Sequence, residues 1–342
     1  MKILYVGKLI DGSTSLHRCQ ALKDVGFDVV SIDSFPKCAS DQDKKLFNRI
    51  FRRVFGAVDY AKVNKFICNY LLYKNNFSIL WIDKGMTVTE NTLRLVKSHN
   101  PLLVIIGYSP DDMGSKHNQS RRFIASLSCY DFYITTKSYG VSELEALGVK
   151  KALMLDNSYD ENAHFPMRRG GKFGHNAIGG VGFIGTYEEE RASSIEFAAE
   201  NNIRVSIYGD GWDGFKVKNV VVSKPLIGND YARAIYNFNI NLCFLRKINR
   251  DLQTTRSIEI PACGGFMLAE RSDEHLSLFK EGVEAEFFDS NEELCEKIIF
   301  YQNNPALRKK IARQGRCRCV NSGYSNQKRL KKIIDEIMHV ER

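Results

Sequence analysis

Short apolar runs separated by amphipathic or polar stretches recur along most of the chain, and their spacing sets the first expectation. Residues 2–7 form a brief apolar run ending in glycine, 16–25 carry apolar residues at helical spacing, and 28–32 are apolar again with Asp33 behind them. Strand, helix, strand with a crossover of that length is the repeating unit of a parallel sheet. Further runs at 79–82, 102–106, 132–135 and 152–155 alternate with helix-like stretches. The pattern predicts a parallel sheet with helices on both faces.

Residues 166–180, PMRRGGKFGHNAIGG, interrupt it with five glycines and the cations Arg168, Arg169 and Lys172, and read as a linker. The alternation then restarts, with strands expected at 182–184, 204–208, 219–222, 240–244, 266–269 and 285–288. Helices are expected at 192–201, 231–236, 259–263 and 291–302, and 305–338 reads as one or two basic helices. The expected division is a Rossmann-like domain at 1–168, a linker at 169–180 and a second Rossmann-like domain at 181–325. A helix at 326–342 would then be free to cross back to the first domain. Sheets of this kind take ligands at the carboxyl ends of their strands.

Length agrees, because 342 residues are about two domains' worth. A composition of 44% hydrophobic and 26% charged residues excludes a disordered chain, a collagen and a disulfide mini-scaffold. No apolar run approaches the roughly 18 residues that would span a bilayer. The start, MKILYVGKLIDG, lacks the features of a signal peptide, so a cytoplasmic location is expected. Nine cysteines, an odd and scattered set, suit free thiols in a reducing compartment. Cys317 and Cys319 have no accompanying zinc ligands, and no metal is expected. The 49 Lys and Arg exceed the 40 Asp and Glu by nine, which leaves nucleic acid, an anionic membrane or a phosphorylated substrate as partners. No zinc-finger spacing or aromatic RNA-binding motif supports nucleic acid.

The strongest local signal is 256–269, RSIEIPACGGFMLA. A helix that carries Glu259, stops at Gly264-Gly265 and feeds an apolar strand can present a carboxylate to a vicinal diol such as a ribose. Its small residues can let phosphate oxygens approach backbone N–H groups. The alternative is a glycine helix stop with a surface glutamate. In the first half, Gly12-Ser13-Thr14-Ser15 precedes a helix, so its N–H groups can meet a phosphate or sugar while Ser or Thr caps the helix. Asp111 and Asp112 follow the 102–106 run and Asp83 follows the 79–82 run, positions suited to acceptor hydroxyls or, for Asp112, to deprotonating one. Plain turn residues would account for them too.

The stretch 250–288, RDLQTTRSIEIPACGGFMLAERSDEHLSLFKEGVEAEFF, closely resembles the C-terminal domain of CgeB-like glycosyltransferases, a branch of the GT-B superfamily. The likeness extends to FIGTYEEER (183–191) and YGDGW (208–212), and more loosely to YVGKLIDGSTSLHR and the Tyr108–Asp112 stretch. It implies an α/β GT-B fold, two facing Rossmann-like domains with a cleft between them. A nucleotide-sugar donor would be held mainly by the second domain and the acceptor mainly by the first.

Carried over residue by residue, the resemblance makes Glu259 the ligand of the donor ribose. Asp251, eight positions earlier and one methylene shorter than the glutamate usual there, would touch the sugar. Gly185 and Thr186 would form the diphosphate turn, with Arg191 on the phosphates or in a salt-bridged helix start beside Glu188, Glu189 and Glu190. Cys263, Gly264 and Gly265 would complete the donor side. Arg246, Lys247, Arg250 and Arg256 are four cations within eleven residues, able to neutralise a departing diphosphate. Tyr208 and Gly209 would meet the nucleobase, unless the loop is a plain turn over a core-packed Trp212. His17 lies close to where inverting relatives place a catalytic base.

Two basic segments point to a surface. In 44–55, Phe47, Ile50, Phe51, Val54 and Phe55 recur at helical spacing beside Lys45, Arg49, Arg52 and Arg53. That is the signature of an anionic-membrane helix or of a core-facing helix with snorkelling cations. Lys328, Arg329, Lys331 and Lys332 form a second patch or belong to a packing helix.

The expectation is a cytoplasmic glycosyltransferase without metal or cofactor, free or peripheral on the inner face of a membrane. It would move a sugar from a nucleotide-diphosphate donor to a glycan, lipid-linked glycan or protein, with retention favoured over inversion. The setting would be bacterial surface polysaccharide or glycoconjugate synthesis. The alternatives are a sugar-nucleotide epimerase of the same plan and a catalytically degenerate scaffold.

Overall fold

A computed structural model describes residues 1–36, 57–73, 76–167 and 180–340. The basic segment 44–55 and almost all of the linker expected at 169–180 lie outside the described residues. The chain divides into two units, Met1–Asp156 with Gln327–Arg342, and Asn157–Asn326.

In the first unit β1 (Lys2–Gly7), β2 (Asp28–Asp33), β3 (Ile79–Asp83), β4 (Val104–Ser109), β5 (Phe132–Thr135) and β6 (Ala152–Met154) form one sheet in the order β2-β1-β3-β4-β5-β6. Every pairing is parallel. Successive strand residues face opposite sides. Ile3, Tyr5, Ile79 and Trp81 therefore enter one core, and Leu4, Val6, Leu80 and Ile82 the other. The first core is closed by Leu330, Ile333, Ile334 and Ile337 of the C-terminal helix Asn326–Val340, whose i, i+3, i+4, i+7 spacing makes a single apolar stripe. Its cations are paired: Arg329 with Asp156 at 3.3 Å, Lys331 with Asp335 at 3.0 Å and Lys332 with Glu336 at 3.8 Å.

In the second unit β7 (Val181–Ile184), β8 (Val205–Tyr208), β9 (Val220–Ser223), β10 (Ile240–Cys243), β11 (Met267–Glu270) and β12 (Glu286–Phe288) form a parallel sheet in the order β12-β11-β10-β7-β8-β9. Counted within the unit, that order is 3-2-1-4-5-6, the doubly wound Rossmann arrangement. Its ligand crevice lies beyond the carboxyl ends where the strand order reverses, here between β7 and β10. In the first unit the reversal lies between β1 and β3.

One helix departs from the sequence expectation, and the basic tail, expected as one or two helices, takes the second form. The helix expected at 259–263 starts earlier, at Thr255, because Thr254 and Ser257 form a reciprocal capping box that fixes the first turn. The basic tail is two helices, Pro305–Asn321 and Asn326–Val340, parted at Gly323 with φ +69°. No described helix is long and apolar enough to cross a membrane.

Candidate functional site

At the β7/β10 reversal the chain turns at Gly185, and the second-unit candidates gather around that turn. Gly209, in the loop after β8, packs against it: a Cβ at 209 would lie 1.8 Å from the Gly185 carbonyl oxygen. Trp212 donates its Nε1–H to the same oxygen at 2.9 Å and is buried. The YGDGW loop thus supports the turn through a core-packed Trp212, while Tyr208 is half-buried with its carbonyl accepting from Gly185 N–H. Backbone cannot yield to a new methyl there, so Gly209→Ala should destabilise the second unit by about 1–3 kcal/mol. Gly214→Ala, where a Cβ meets nothing within 4 Å, should leave it unchanged. Thermal unfolding followed by Trp212 fluorescence checks both.

The cations around the turn have different fates. Arg191 is 4% exposed. It donates to the carbonyls of Thr186 at 3.2 Å and Phe244 at 3.5 Å and lies 3.8 Å from Glu188; burial holds its pKa below the ordinary arginine value. Expected on the diphosphate, it instead braces the turn from beneath. Arg246 is paired with Glu188 at 2.7 Å and Lys247 with Glu270 at 3.2 Å. Arg256, half-buried, donates Nε–H to the Ile184 carbonyl and has no carboxylate partner among the described residues.

Arg256 sits in the first turn of Thr255–Ala262. The capping box engages the N–H of Ser257, whereas the N–H groups of Thr255 and Arg256 have no partner among the described residues. Unpaired N–H groups at the positive end of a helix dipole, beside a guanidinium, make an anion-binding surface. This surface was not anticipated, although the Thr254-x-x-Ser257 spacing signals it.

One turn further along, Glu259 is 6% exposed. Tyr231 donates its hydroxyl to Glu259 Oε2 at 2.5 Å, and burial, then the carboxylate, push the Tyr231 pKa well up. His164 Nε2 lies 3.7 Å from Oε1. His164 Nδ1 accepts the Asp160 N–H at 3.0 Å, so a neutral ring carries its proton on Nε2, toward Glu259. Neither residue was foreseen, since they lie 28 and 95 positions away in sequence. Asp251 is buried on the loop before the helix and accepts from Asn249 Nδ2 at 2.7 Å. Arg250 beside it takes φ +44°.

The other end of the helix corrects an expectation. Gly264, with φ +76°, is the helix stop: its N–H donates to Pro261 O at 2.8 Å and that of Gly265 to Ile260 O at 3.0 Å. With those groups spent inside the cap and the helix dipole negative there, Gly264 and Gly265 do not receive phosphate. Cys263 is fully buried, with its N–H on Glu259 O at 2.9 Å.

A buried serine–histidine pair lies under the capping box. Ser257 Oγ is 2.6 Å from His275 Nε2, and His275 Nδ1 is 2.7 Å from the Glu270 carbonyl. A carbonyl only accepts, so Nδ1 bears the proton and Nε2 accepts from the serine. Both residues are fully buried, which makes the pair a brace for the helix start rather than a nucleophile.

In the first unit, Asp83 is engaged by Arg18 through two hydrogen bonds, 2.7 and 3.1 Å, and by the Tyr5 hydroxyl at 2.7 Å. Expected to bind acceptor, it is a buried structural anion. Asp112, expected to act on the acceptor, is 1% exposed. Asp111 is more open and pairs with Lys84. Gly12 takes φ +76° ahead of the helix Thr14–Asp24, which Ser13 caps by accepting the Leu16 N–H at 3.2 Å. His17 is half-buried in the first part of that helix. Among the described residues no group of three or more His, Cys, Asp and Glu is arranged to hold a metal ion.

Residues 191–335 match the family described as "Glycosyl transferase-like". Comparison with curated proteins gives no match. The fold resembles that of Anabaena HepE, solved with UDP-glucose, at 10% identity and a TM-score of 0.63, over 99% of this chain and 100% of that one. It is similar to a glycosyltransferase from Rickettsia africae at 13% identity and a TM-score of 0.63, covering 98% and 97% of the two chains. Sucrose-phosphate synthase from Thermosynechococcus elongatus matches at 12% identity and a TM-score of 0.63, covering 99% and 100%. The match over 191–335 gives the C-terminal part of the chain the sequence signature of a glycosyl transferase-like family, and the two doubly wound parallel sheets have the fold of GT-B glycosyltransferases.

Proposed function

We propose that the protein transfers a sugar from a nucleotide-diphosphate donor to a glycan, lipid-linked glycan or protein acceptor, with retention and without a metal ion. The observation that carries this reading is the start of the Thr255–Ala262 helix. Two unpartnered N–H groups and an unpaired Arg256 stand there beside the Gly185 turn, and Glu259 lies one helical turn away. A leaving diphosphate gathers negative charge as the glycosidic bond breaks. Fixed N–H dipoles and a guanidinium that already point there stabilise that charge without reorganising. Glu259 accepts hydrogen bonds from the ribose diol, with Tyr231 holding one of its oxygens in place.

Arg256 takes the larger share of the diphosphate, because Arg246 and Lys247 already answer carboxylates. Asp251 is the sugar-side carboxylate of the proposal. Retention is supported by the state of the acceptor-side carboxylates: Asp83 is saturated and Asp112 buried, which removes two candidate bases. HepE was solved with UDP-glucose, and a UDP-sugar is the first donor to test.

The experiment is a thermal-shift screen of UDP-, GDP- and dTDP-sugars on the parent, Arg256→Ala and Glu259→Gln, since a ligand of the folded state raises its apparent stability by mass action. One donor class should stabilise the parent. Each variant, losing charge-assisted hydrogen bonds, should bind it about ten- to a hundredfold more weakly. Equal binding by parent and variants would remove the site. Turnover of the donor sugar without any acceptor would favour an epimerase instead.

A further inference from the structure

The second unit carries another concavity, at the amino edge of its sheet. A groove of about 730 Å³ is walled by Pro166, the 236–239 segment, Gly264 and Phe266 on one side and the helix Pro305–Asn321 on the other. Asn239 and Phe266 immediately precede β10 and β11, whereas the turns at Gly185 and Arg246 follow β7 and β10. The groove therefore opens at the opposite end of the strands from the proposed donor site.

The helix, PALRKKIARQGRCRCVN, contains no acidic residue. Lys309, Arg313 and Arg316 recur at i, i+4 and i+7, which puts them on one face, with Arg308 beside them. Arg308 is 6% exposed; its Nη1 donates to the Tyr301 carbonyl at 2.5 Å, and Arg316 Nη1 donates to the Ala262 carbonyl. Among the described residues none of these four cations has a carboxylate partner. Residues 168–179, which join Met167 to Gly180, contain no Asp or Glu, so that connection brings no counter-charge. A cation this deeply buried is ordinarily paired, and burial alone lowers the Arg308 pKa.

We propose that this groove binds a small polyanion carrying two or more phosphate groups, with Arg308 and Arg316 at its floor and Lys309 and Arg313 at its mouth. Guanidinium groups match phosphate by forked hydrogen bonds. The partly exposed ring of Tyr236 at the rim offers an apolar face to whatever carries the phosphates. The site is separate from donor chemistry and stands whether or not the proposed function does.

The test is calorimetric titration of inorganic pyrophosphate into the full chain: the parent, Arg256→Ala, and Lys309→Ala with Arg313→Ala. The last pair is exposed, so its truncation leaves the packing intact. Binding that survives Arg256→Ala and weakens about tenfold or more in the Lys309/Arg313 variant is the expected result. Parent-like titration by the Lys309/Arg313 variant would overturn the proposal, as would loss of all binding on Arg256→Ala.

Discussion

Asp83→Ala should destabilise the first unit by about 3–5 kcal/mol. The carboxylate answers Arg18 through both oxygens, and both side chains are only 5% exposed. Arg18 also lies over the Tyr108 ring, 4.2 Å from its centroid, and cannot swing to solvent without surrendering that packing. Burial works against the arginine's charge, and Asp83, together with Tyr108 and Tyr5, more than reverses it, so the guanidinium stays charged in the folded chain. Removing the anion leaves a guanidinium in the core with no carboxylate to answer it, and that uncompensated penalty is larger than the net worth of the pair. Arg18→Met combined with Asp83→Leu removes both charges and should recover much of the loss. The chain's two tryptophans report separately, since Trp81 lies in the first unit's core and Trp212 in the second's. In a Trp212→Phe background, denaturation followed by Trp81 reads the first unit alone. A double variant no more stable than Asp83→Ala would refute the buried-fork account.

Acidification should cost the second unit about 3 kcal/mol between about pH 6.5 and pH 4. Burial lowers the His275 pKa from 6.5 to about 4, outweighing the opposing hydrogen bond to the Glu270 carbonyl. Above pH 6.5 the ring is neutral in both states and contributes no slope. As pH falls from there, the unfolded chain takes up a proton that the folded one refuses, so stability drops until about pH 4, where the folded ring protonates too. The interval is 6.5 − 4 = 2.5 units, worth about 3 kcal/mol at 1.36 kcal/mol per unit. Protonation at Nε2 also removes the acceptor of the Ser257 hydroxyl, and Ser257 holds the capping box by accepting the Thr254 N–H at 3.0 Å. Affinity for the proposed donor should therefore hold through that range and fall only near and below pH 4, where the folded ring takes up its proton. His275→Gln, which does not titrate, should flatten the stability profile measured by Trp212 fluorescence. An unchanged slope in that variant would assign the acid sensitivity elsewhere.

Much of the fold was written locally. The apolar runs at 79–82, 132–135 and 240–244 lie within a residue or two of β3, β5 and β10, because a strand buried on both faces needs only a short continuous apolar stretch. The helix stop after Cys263 was equally plain from Gly264. The start of the same helix was not, because Glu259 to Cys263 has a periodic apolar pattern whereas the preceding turn is polar and held by a capping box. The helix Asp273–Leu278 was missed for its brevity.

The sequence by itself determined the alternation of strands and helices, and hence two doubly wound parallel sheets, since periodicity and glycine stops act over a few neighbouring residues. It also put carboxylates and cations near the carboxyl ends of strands. Only the tertiary structure decided which of those charges are spent. Arg191 and Asp83 look in the sequence like Arg256 and Asp111, yet the first two are buried beneath packed elements while the last two are partly exposed. Tyr231 and His164 reach Glu259, and His275 reaches Ser257, across intervals with no local signature. Solvent exposure and pairing depend on what the folded chain brings from elsewhere, and a buried polar group must be answered by whatever neighbour the topology supplies.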